Sequence, residues 1–230
     1  KIVVTNDEVV GFVFPVHGWR VPRIVSDFMH TLEFHEGNLQ NKKGHYTFCL
    51  LTAGDTIGRT MERFARELKE VKSETTLELN AVESVIMPES YVGLPGMDVD
   101  KPEKELEKIK SAEKAIVRFA SIVKGRELSQ DNFPLGWKDL ERGPIPDFFS
   151  GPVGGFFTRY LITDKPFKVD RKKCIRCGIC AEVCPVEDIE GGKGREPKWK
   201  HNGKCLTCFA CYHHCPIHAI EYGNRTKHKG

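Results

Sequence analysis

Three features that would place this chain in familiar protein classes are missing from its sequence. No apolar run approaches the ~18 residues that a membrane-spanning helix needs. No G-x-G-x-x-G follows a predicted strand, so a nicotinamide-dinucleotide site is not expected. No nucleophile lies in a recognisable arrangement with a general base. Membrane-spanning proteins, hydride-transferring dehydrogenases and hydrolases are therefore not favoured.

Cysteine is almost absent from the first 170 residues, where only Cys49 occurs. It lies within a predicted strand, where a free cysteine is usually a small buried hydrophobe. The other eight of the nine cysteines form two runs, CIRCGICAEVCP at 174–185 and CLTCFACYHHCP at 205–216, offset by 31 residues. Thiols this close together suit a shared metal centre better than a disulfide framework, and a reducing cytoplasm is their expected location.

The spacing C-x2-C-x2-C-x3-C-P is that of bacterial ferredoxins, in which the fourth cysteine of each run ligates the other cluster. Zinc sites are the alternative, but they usually use paired C-x2-C units far apart, and the third cysteine and the proline favour iron–sulfur clusters. The two histidines at 213–214 are not expected to be ligands. The sequence predicts two [4Fe-4S] clusters, the first held by Cys174, Cys177, Cys180 and Cys215 and the second by Cys205, Cys208, Cys211 and Cys184.

Charge is distributed unevenly along the chain. Residues 1–164 contain 21 Lys and Arg against 25 Asp and Glu, whereas residues 165–230 contain 14 against 7. Because each oxidised cluster with its four thiolates carries about −2, two clusters offset much of the positive charge of the second part. The basic region is therefore not expected to bind nucleic acid.

The hydrophobic pattern of the first 124 residues alternates between strands and helices, which predicts parallel strands with helical crossovers. Strands are predicted near residues 9–16, 46–51 and 77–87. The expected buried faces of the three intervening or following helices are Ile24, Phe28 and Leu32; Ile57, Met61, Phe64, Leu68 and Val71; and Leu106, Ile109, Ile116, Ala120 and Val123.

Residues 125–168 are rich in proline and glycine, yet they contain six of the fourteen phenylalanines, Trp137 and Tyr160. A flexible linker would be polar, so we expect a packed connector with mostly buried aromatic side chains. The ferredoxin domain is predicted at 169–230, ending in a basic tail, with a hairpin at 190–200.

Two stretches, GFVFPVHGWRVPRIVSDFM and YTFCLLTAGDTIGRTMERF, resemble the third and fourth strands of a flavodoxin with their flavin-contacting loops. Together with SYVGLPGMDVD and the cysteine runs, the whole chain resembles the bacterial flavodoxin–ferredoxin fusion family. The resemblance implies an FMN whose isoalloxazine ring is stacked by Trp19 and met at its edge by the backbone of Gly54 and Asp55. The implied contact residues are Pro15, Val16, His17, Gly18, Trp19, Thr52, Ala53, Gly54 and Asp55.

One element of that family is missing from the sequence, namely the first strand with its Ser/Thr/Gly/Asn-rich phosphate loop. The resemblance therefore implies an N-terminally truncated flavodoxin-like domain at 1–124 that lacks the central strand of its sheet. The expected fold class is α/β with a partial flavodoxin-like parallel sheet, followed by a small α+β ferredoxin domain.

These observations predict an electron-transfer protein that uses two clusters, coupled to FMN, and that exchanges electrons with a redox partner protein. Such a chain could act as a flavin/iron–sulfur oxidoreductase. The alternative is an FMN-free ferredoxin carrier whose flavodoxin-like half is a docking scaffold for the partner.

Overall fold

The computed structural model describes residues 2–4, 8–36, 45–73, 77–227 and 229. The chain forms two compact units: unit 1 comprises Lys1–Pro88 and Pro102–Phe156, and unit 2 comprises Glu89–Lys101 and Phe157–Gly230. These units divide the chain differently from the predicted segments 1–124, 125–168 and 169–230. Among the described residues, no helix is both long and apolar enough to cross a membrane.

Among the residues that the structure describes, unit 1 contains six strands: β1 (Ile2–Val4), β2 (Val10–Pro15), β3 (Glu33–Glu36), β4 (Thr47–Ala53), β5 (Lys72–Ser73) and β6 (Leu79–Ile86). They form two three-stranded sheets, with the orders β2-β4-β6 and β1-β3-β5. The strands of the larger sheet run parallel, as predicted, and the pairing of β2 with β4 is continuous from Val10 opposite Thr47 to Pro15 opposite Thr52.

Three helices connect or follow these strands: α1 (Arg23–Thr31), α2 (Thr60–Glu70) and α3 (Pro102–Gly125). The predicted face of α2 is confirmed, because four of its five apolar positions are at most 1% exposed and Val71 packs against the same core. Because β2 and β4 are neighbouring parallel strands, their carboxyl ends lie at the same edge of the sheet.

The predicted buried face of α1 is only partly correct, because Leu32 is the one predicted residue of the three that is buried. Ile24 and Phe28 are 40% and 51% exposed, while Met29 and Leu32 are buried and Val25 packs against the core. Val25, Met29 and Leu32 have spacings of four and three residues, whereas Ile24, Phe28 and Leu32 have spacings of four and four. Both spacings are typical of one helix face, so the sequence pattern fits two adjacent faces of α1.

The predicted stripe of α3 is only partly correct. Leu106 and Ile116 are 52% and 42% exposed, and the residues that α3 buries are Ala112 and Phe119. They pack against Ala81 and other residues of β6, where a small side chain lets the helix approach the sheet.

The connector does not bury most of its aromatic side chains, contrary to the prediction. Phe133, Phe148, Phe156 and Tyr160 are each more than half exposed. Its part in unit 1 comprises a 3₁₀ turn (Trp137–Asp139), a short helix α4 (Pro146–Phe148), a π-helical turn (Phe149–Val153) and a short helix α5 (Gly154–Phe156).

Polar contacts hold the π-helical turn instead. Arg20 donates Nε to the carbonyl of Ser150 at 2.9 Å and Nη2 to the carbonyl of Gly151 at 2.9 Å. The Ser150 carbonyl also accepts from Arg63 at 3.0 Å, and the Ser150 hydroxyl accepts from the Arg59 backbone N–H at 2.7 Å. The turn is therefore fixed mainly through its backbone carbonyls and the Ser150 hydroxyl.

Unit 2 contains two small antiparallel sheets and two short helices. Strand β7 (Phe167–Val169) pairs with β10 (Ile220–Tyr222), and β8 (Ile189–Gly192) forms a hairpin with β9 (Arg195–Trp199), close to the predicted hairpin. The helices are α6 (Ile179–Glu182) and α7 (Ala210–His213), and a π-helical turn (Phe157–Leu161) precedes β7.

The 31-residue repeat of the sequence is also a repeat of backbone conformation. Helices α6 and α7 are offset by 31 residues. So are three pairs of positions with positive φ, namely Arg176 and Thr207, Gly178 and Phe209, and Glu187 and His218. Unit 2 is thus a duplicated structure around an aromatic core in which Phe167, Phe209 and Tyr222 pack edge to face or tilted.

Candidate iron–sulfur site

The first predicted ligand set lines one cavity of unit 2. Three of its cysteines come from the loop that leads into α6 and from the start of that helix, and Cys215 comes from the end of the second run. Apolar side chains complete the lining, among them Pro197, Ile217 and Ile220. The structure therefore brings together Cys174, Cys177, Cys180 and Cys215, which are separated by up to 41 residues in sequence.

The second predicted ligand set also converges in unit 2. Burial raises the pKa of the Cys211 thiol, and the neighbouring Cys208, Cys205 and Cys184 raise it further. Burial likewise raises the pKa of Cys208, to which Cys184 again contributes. Cys184 of the first run thus lies near Cys208 and Cys211 of the second run, and Cys180 of the first predicted set also contributes to the shift at Cys211.

Backbone N–H groups point at several of these sulfur atoms. Asp188 N donates to Cys184 Sγ at 3.2 Å, and the repeat-related Ala219 N donates to Cys215 Sγ at the same distance. Thr207 N donates to Cys205 Sγ at 3.4 Å. Such donors favour a thiolate over a thiol, and in iron–sulfur sites they raise the reduction potential.

The donor set fits iron–sulfur chemistry in its composition: four thiols at each group, N–H donors to sulfur and an apolar lining. Iron binding must deprotonate these cysteines, so loading releases protons. Within the part of the chain that the structure describes, no three His, Cys, Asp or Glu side chains lie close enough to hold a single metal ion. The four cysteines of each group would instead each bind a different iron of a four-iron cluster.

A buried acidic pair lies beside the second group, and the sequence reasoning missed it. Asp164 and Asp188 are 3% and 1% exposed, and Asp164 accepts from the His201 backbone N–H at 2.7 Å and pairs with His201 Nδ1 at 3.0 Å. Burial raises the pKa of Asp188 to about 6, and the nearby Asp164 adds to the shift. Burial raises the pKa of the Cys205 thiol to about 12, with contributions from both carboxylates. The sequence does contain one sign that Asp188 is special, because the repeat is broken there: Ala219 occupies the equivalent position 31 residues later.

The loops predicted to contact FMN lie together at the carboxyl ends of β2 and β4. Val16 N donates to the carbonyl of Thr52 at 2.8 Å, and Trp19 Nε1 donates to Thr56 Oγ1 at 3.1 Å. The structure thereby places the two predicted segments, Pro15 to Trp19 and Thr52 to Asp55, side by side in unit 1.

Several groups in these loops already have protein partners. The Trp19 ring packs against Phe149 with their centroids 4.7 Å apart, and Lys108 Nζ donates to the carbonyl of Gly54 at 2.6 Å. Burial lowers the pKa of His17, which favours its neutral form. Sequence reasoning missed Phe149 and Lys108, because both reach this edge from distant parts of the chain.

Comparison with known proteins agrees with the cysteine geometry. The family model described as a 4Fe-4S dicluster domain matches residues 167–216, a segment that includes all eight clustered cysteines. No curated protein matches the chain. Residues 167–216 are therefore a 4Fe-4S dicluster ferredoxin-type domain, which indicates electron transfer.

Proposed function

We propose that unit 2 binds two [4Fe-4S] clusters and that the protein transfers electrons through them. The observation that carries this proposal is the cavity lined by Cys174, Cys177 and Cys180 of the first run together with Cys215 of the second. The contribution of Cys184 to the raised pKa of Cys208 and Cys211 supports the second grouping. When bound, each cluster accepts and releases one electron. Cys174, Cys177, Cys180 and Cys215 would hold the first cluster, and Cys205, Cys208, Cys211 and Cys184 the second.

The remaining residues of unit 2 prepare the two sites. The N–H groups of Asp188, Thr207 and Ala219 neutralise part of the negative charge on sulfur. Ile217 and Ile220 keep the first site apolar, which limits the access of water. Hydrogen bonds to sulfur and limited solvent exposure are the levers by which a protein sets the potential of such a cluster. A reducing compartment such as the cytoplasm suits eight ligating thiols.

The test is chemical analysis of anaerobically purified protein with matched cysteine variants. We expect about eight iron and about eight sulfide per chain. Cys184→Ser should perturb the electron paramagnetic resonance signal of the second cluster, and Cys215→Ser that of the first, although each serine lies in the opposite run. Cys49→Ala is the control and should retain full iron and sulfide. Zinc without sulfide, or serine effects confined to the cluster of the same run, would contradict the proposal.

A flavin in unit 1 is a second element of the proposed function, supported by the two adjacent loops at the carboxyl ends of β2 and β4. FMN exchanges two electrons and can release them one at a time, so it would link a two-electron donor to the clusters. The chain would then act as a flavin/iron–sulfur oxidoreductase. In the alternative, unit 1 carries no FMN and serves as a docking scaffold for a redox partner.

Titration of FMN with the purified chain distinguishes the two possibilities. Binding at the predicted loops should quench the FMN fluorescence, and Thr52→Trp should weaken this quenching because Thr52 belongs to the predicted contact residues. Lys69→Ala, on the exposed side of α2, is the control. If the FMN fluorescence does not change at any protein concentration, unit 1 does not bind FMN under these conditions. The docking scaffold is then the favoured role for unit 1.

A further inference from the structure

The two cysteine loops of unit 2 share a backbone conformation but differ in their surfaces. Ile175 is 62% exposed, whereas Leu206, its equivalent 31 residues later, is 8% exposed. Arg176 is exposed, whereas its equivalent Thr207 is 2% exposed. The duplication therefore produces two loops that differ in burial at these two positions, although Cys208 of the second loop is exposed.

The second loop is partly covered by other parts of the same unit. Thr163 N donates to Thr207 Oγ1 at 2.9 Å. The Phe209 ring meets Tyr91 edge to face, with their centroids 5.2 Å apart, and Gly93 lies so close that a Cβ there would be 2.7 Å from the Phe209 ring. Thr207 and Phe209 are thus covered, whereas Cys208 of the same loop is exposed, so charge and not enclosure distinguishes the surroundings of the two sites.

The first loop is strongly cationic. Residues 170–178 and the hairpin turn 192–196 lie against each other, because Gly194 N donates to the carbonyl of Arg176 at 2.8 Å. A Cβ on Gly178 would be 2.8 Å from backbone atoms of Gly192 and Lys193, which shows how closely the two segments pack. Together they contain six basic residues against two acidic ones: Arg171, Lys172, Lys173, Arg176, Lys193 and Arg195 against Asp170 and Glu196.

One of the six cations is neutralised within the surface, since Arg171 pairs with Glu196 at 2.9 Å. The other five are exposed, as is Ile175 between them in sequence. The corresponding segment of the second run, residues 201–209, contains a single lysine. We call Ile175, Lys172, Lys173, Arg176, Lys193 and Arg195 the cationic loop surface.

We propose that the cationic loop surface is the docking site for an acidic one-electron redox protein that exchanges electrons with the first cluster. This inference rests on the proposed function and specifies its partner. One electron leaves the reduced partner and reduces the first cluster, and no bond or proton needs to move. Complementary charge steers and orients such encounters, and an exposed apolar residue among the charges supplies the contact at their centre.

A protein partner fits this surface better than nucleic acid does. Proteins that bind single strands combine cations with aromatic side chains on which bases stack, and neither 170–178 nor 192–196 contains an aromatic residue. The cations also surround the ligand loop itself, which is where an electron-transfer partner must approach.

The experiment uses the cluster-loaded chain with an acidic bacterial flavodoxin in its hydroquinone form as the probe. Stopped-flow absorbance gives the second-order rate constant of cluster reduction at several ionic strengths, and isothermal titration calorimetry with oxidised flavodoxin gives the affinity. We expect the rate constant to fall steeply as salt rises. The double variant Lys173→Glu/Arg176→Glu should be roughly tenfold slower at low salt and should lose most of the salt dependence.

Lys204→Glu is the matched control, because Lys204 is the repeat equivalent of Lys173 and also precedes the first cysteine of its run. It should stay within about twofold of the unmodified chain. Should the double variant lose iron, Lys193→Glu/Arg195→Glu on the hairpin turn provides the same test away from the ligand loop. Equal rates and affinities for the loop-surface variant and the control would overturn the inference.

Two further readings separate the outcomes. Iron, sulfide and the resonance spectrum of every variant report on the proposed function independently of docking, so clusters that are intact without docking refute only this inference. Duplex DNA is included as a competitor. Displacement of flavodoxin by DNA at lower concentrations than by polyglutamate would assign the surface to nucleic acid and overturn the inference as well.

Discussion

Gly178 shows how a single residue fixes the geometry of the first cysteine loop. Its φ is +89°, and a Cβ would lie 2.8 Å from backbone atoms of Gly192 and Lys193. Gly178→Ala should therefore combine about 1–2 kcal/mol of left-handed strain with a backbone clash. We expect a lower apparent Tm and faster loss of cluster absorbance under anaerobic heating.

Gly194→Ala is the control for that substitution. Its φ is +82°, but nothing lies within 4 Å of a Cβ at this position. Gly194→Ala should introduce left-handed strain but no backbone clash. Its Tm should therefore lie between those of Gly178→Ala and the unmodified chain. Equal Tm values for the two variants would show that the close packing of the hairpin turn does not matter.

Cys49 differs from the other eight cysteines in its surroundings. It is 0% exposed in the middle of β4, and burial raises the pKa of its thiol well above the ordinary value. Cys49→Ser should lower the free energy of unfolding of unit 1 by about 1–3 kcal/mol, since the hydroxyl is buried in an apolar core. Chemical denaturation followed by far-UV circular dichroism measures the change. A stability equal to that of Cys49→Ala would contradict the expected penalty for the hydroxyl.

At the scale of elements, the π-helical turn Phe149–Val153 depends on one arginine. Arg20 donates to two consecutive carbonyls of this turn, those of Ser150 and Gly151. Arg20→Ala should lower the free energy of unfolding by about 2 kcal/mol and speed amide hydrogen exchange around residues 149–153. Arg66→Ala, on the exposed side of α2, is the control and should change neither. Unchanged exchange in Arg20→Ala would show that the turn is held by other contacts.

The longer elements could be predicted from sequence because their burial is periodic. Strands β2, β4 and β6 are six to eight residues long and largely apolar, and α2 buries one clear face. The second sheet could not be predicted, since its strands are two to four residues long and include the polar EFHE and KS. Such strands are selected by their neighbours in space and not by local propensity.

Only those parts of the candidate site that depend on local sequence spacing could be predicted. The ligand positions follow from the cysteine motif, whose spacing is short and specific. The covering of Phe209 cannot be predicted from the repeat, because Tyr91 and Gly93, which contact it, lie more than 100 residues upstream. The proximity of Asp164 to Asp188 arises in the same way, from a contact between distant segments.

At the scale of the whole molecule, the division into two units predicts that the same substitution at two buried valines has different effects on the clusters. Val92 and Val85 are 0% and 1% exposed and lie seven residues apart, but they belong to different hydrophobic clusters. Val92→Ala should destabilise unit 2 by about 1–3 kcal/mol and accelerate cluster loss. Val85→Ala should destabilise unit 1 by a similar amount and leave the rate of cluster loss unchanged.

The measurement follows cluster absorbance and far-UV circular dichroism on the same samples during anaerobic denaturation. If Val85→Ala released the clusters as fast as Val92→Ala, residues 89–101 would have no special relation to the cysteine domain.

Lys229, near the end of the chain, hydrogen-bonds to the segment 89–101 that begins unit 2. Its Nζ donates to the carbonyl of Leu94 at 2.7 Å and also to those of Val92 and Met97. On a ribosome that adds about 5–20 residues per second, Lys229 emerges roughly 7–26 s after Met97. During that interval Pro102–Phe156 can already join unit 1, while residues 89–101 wait for their partners. Residues 89–101 can therefore complete their packing only after both cysteine runs have been synthesised.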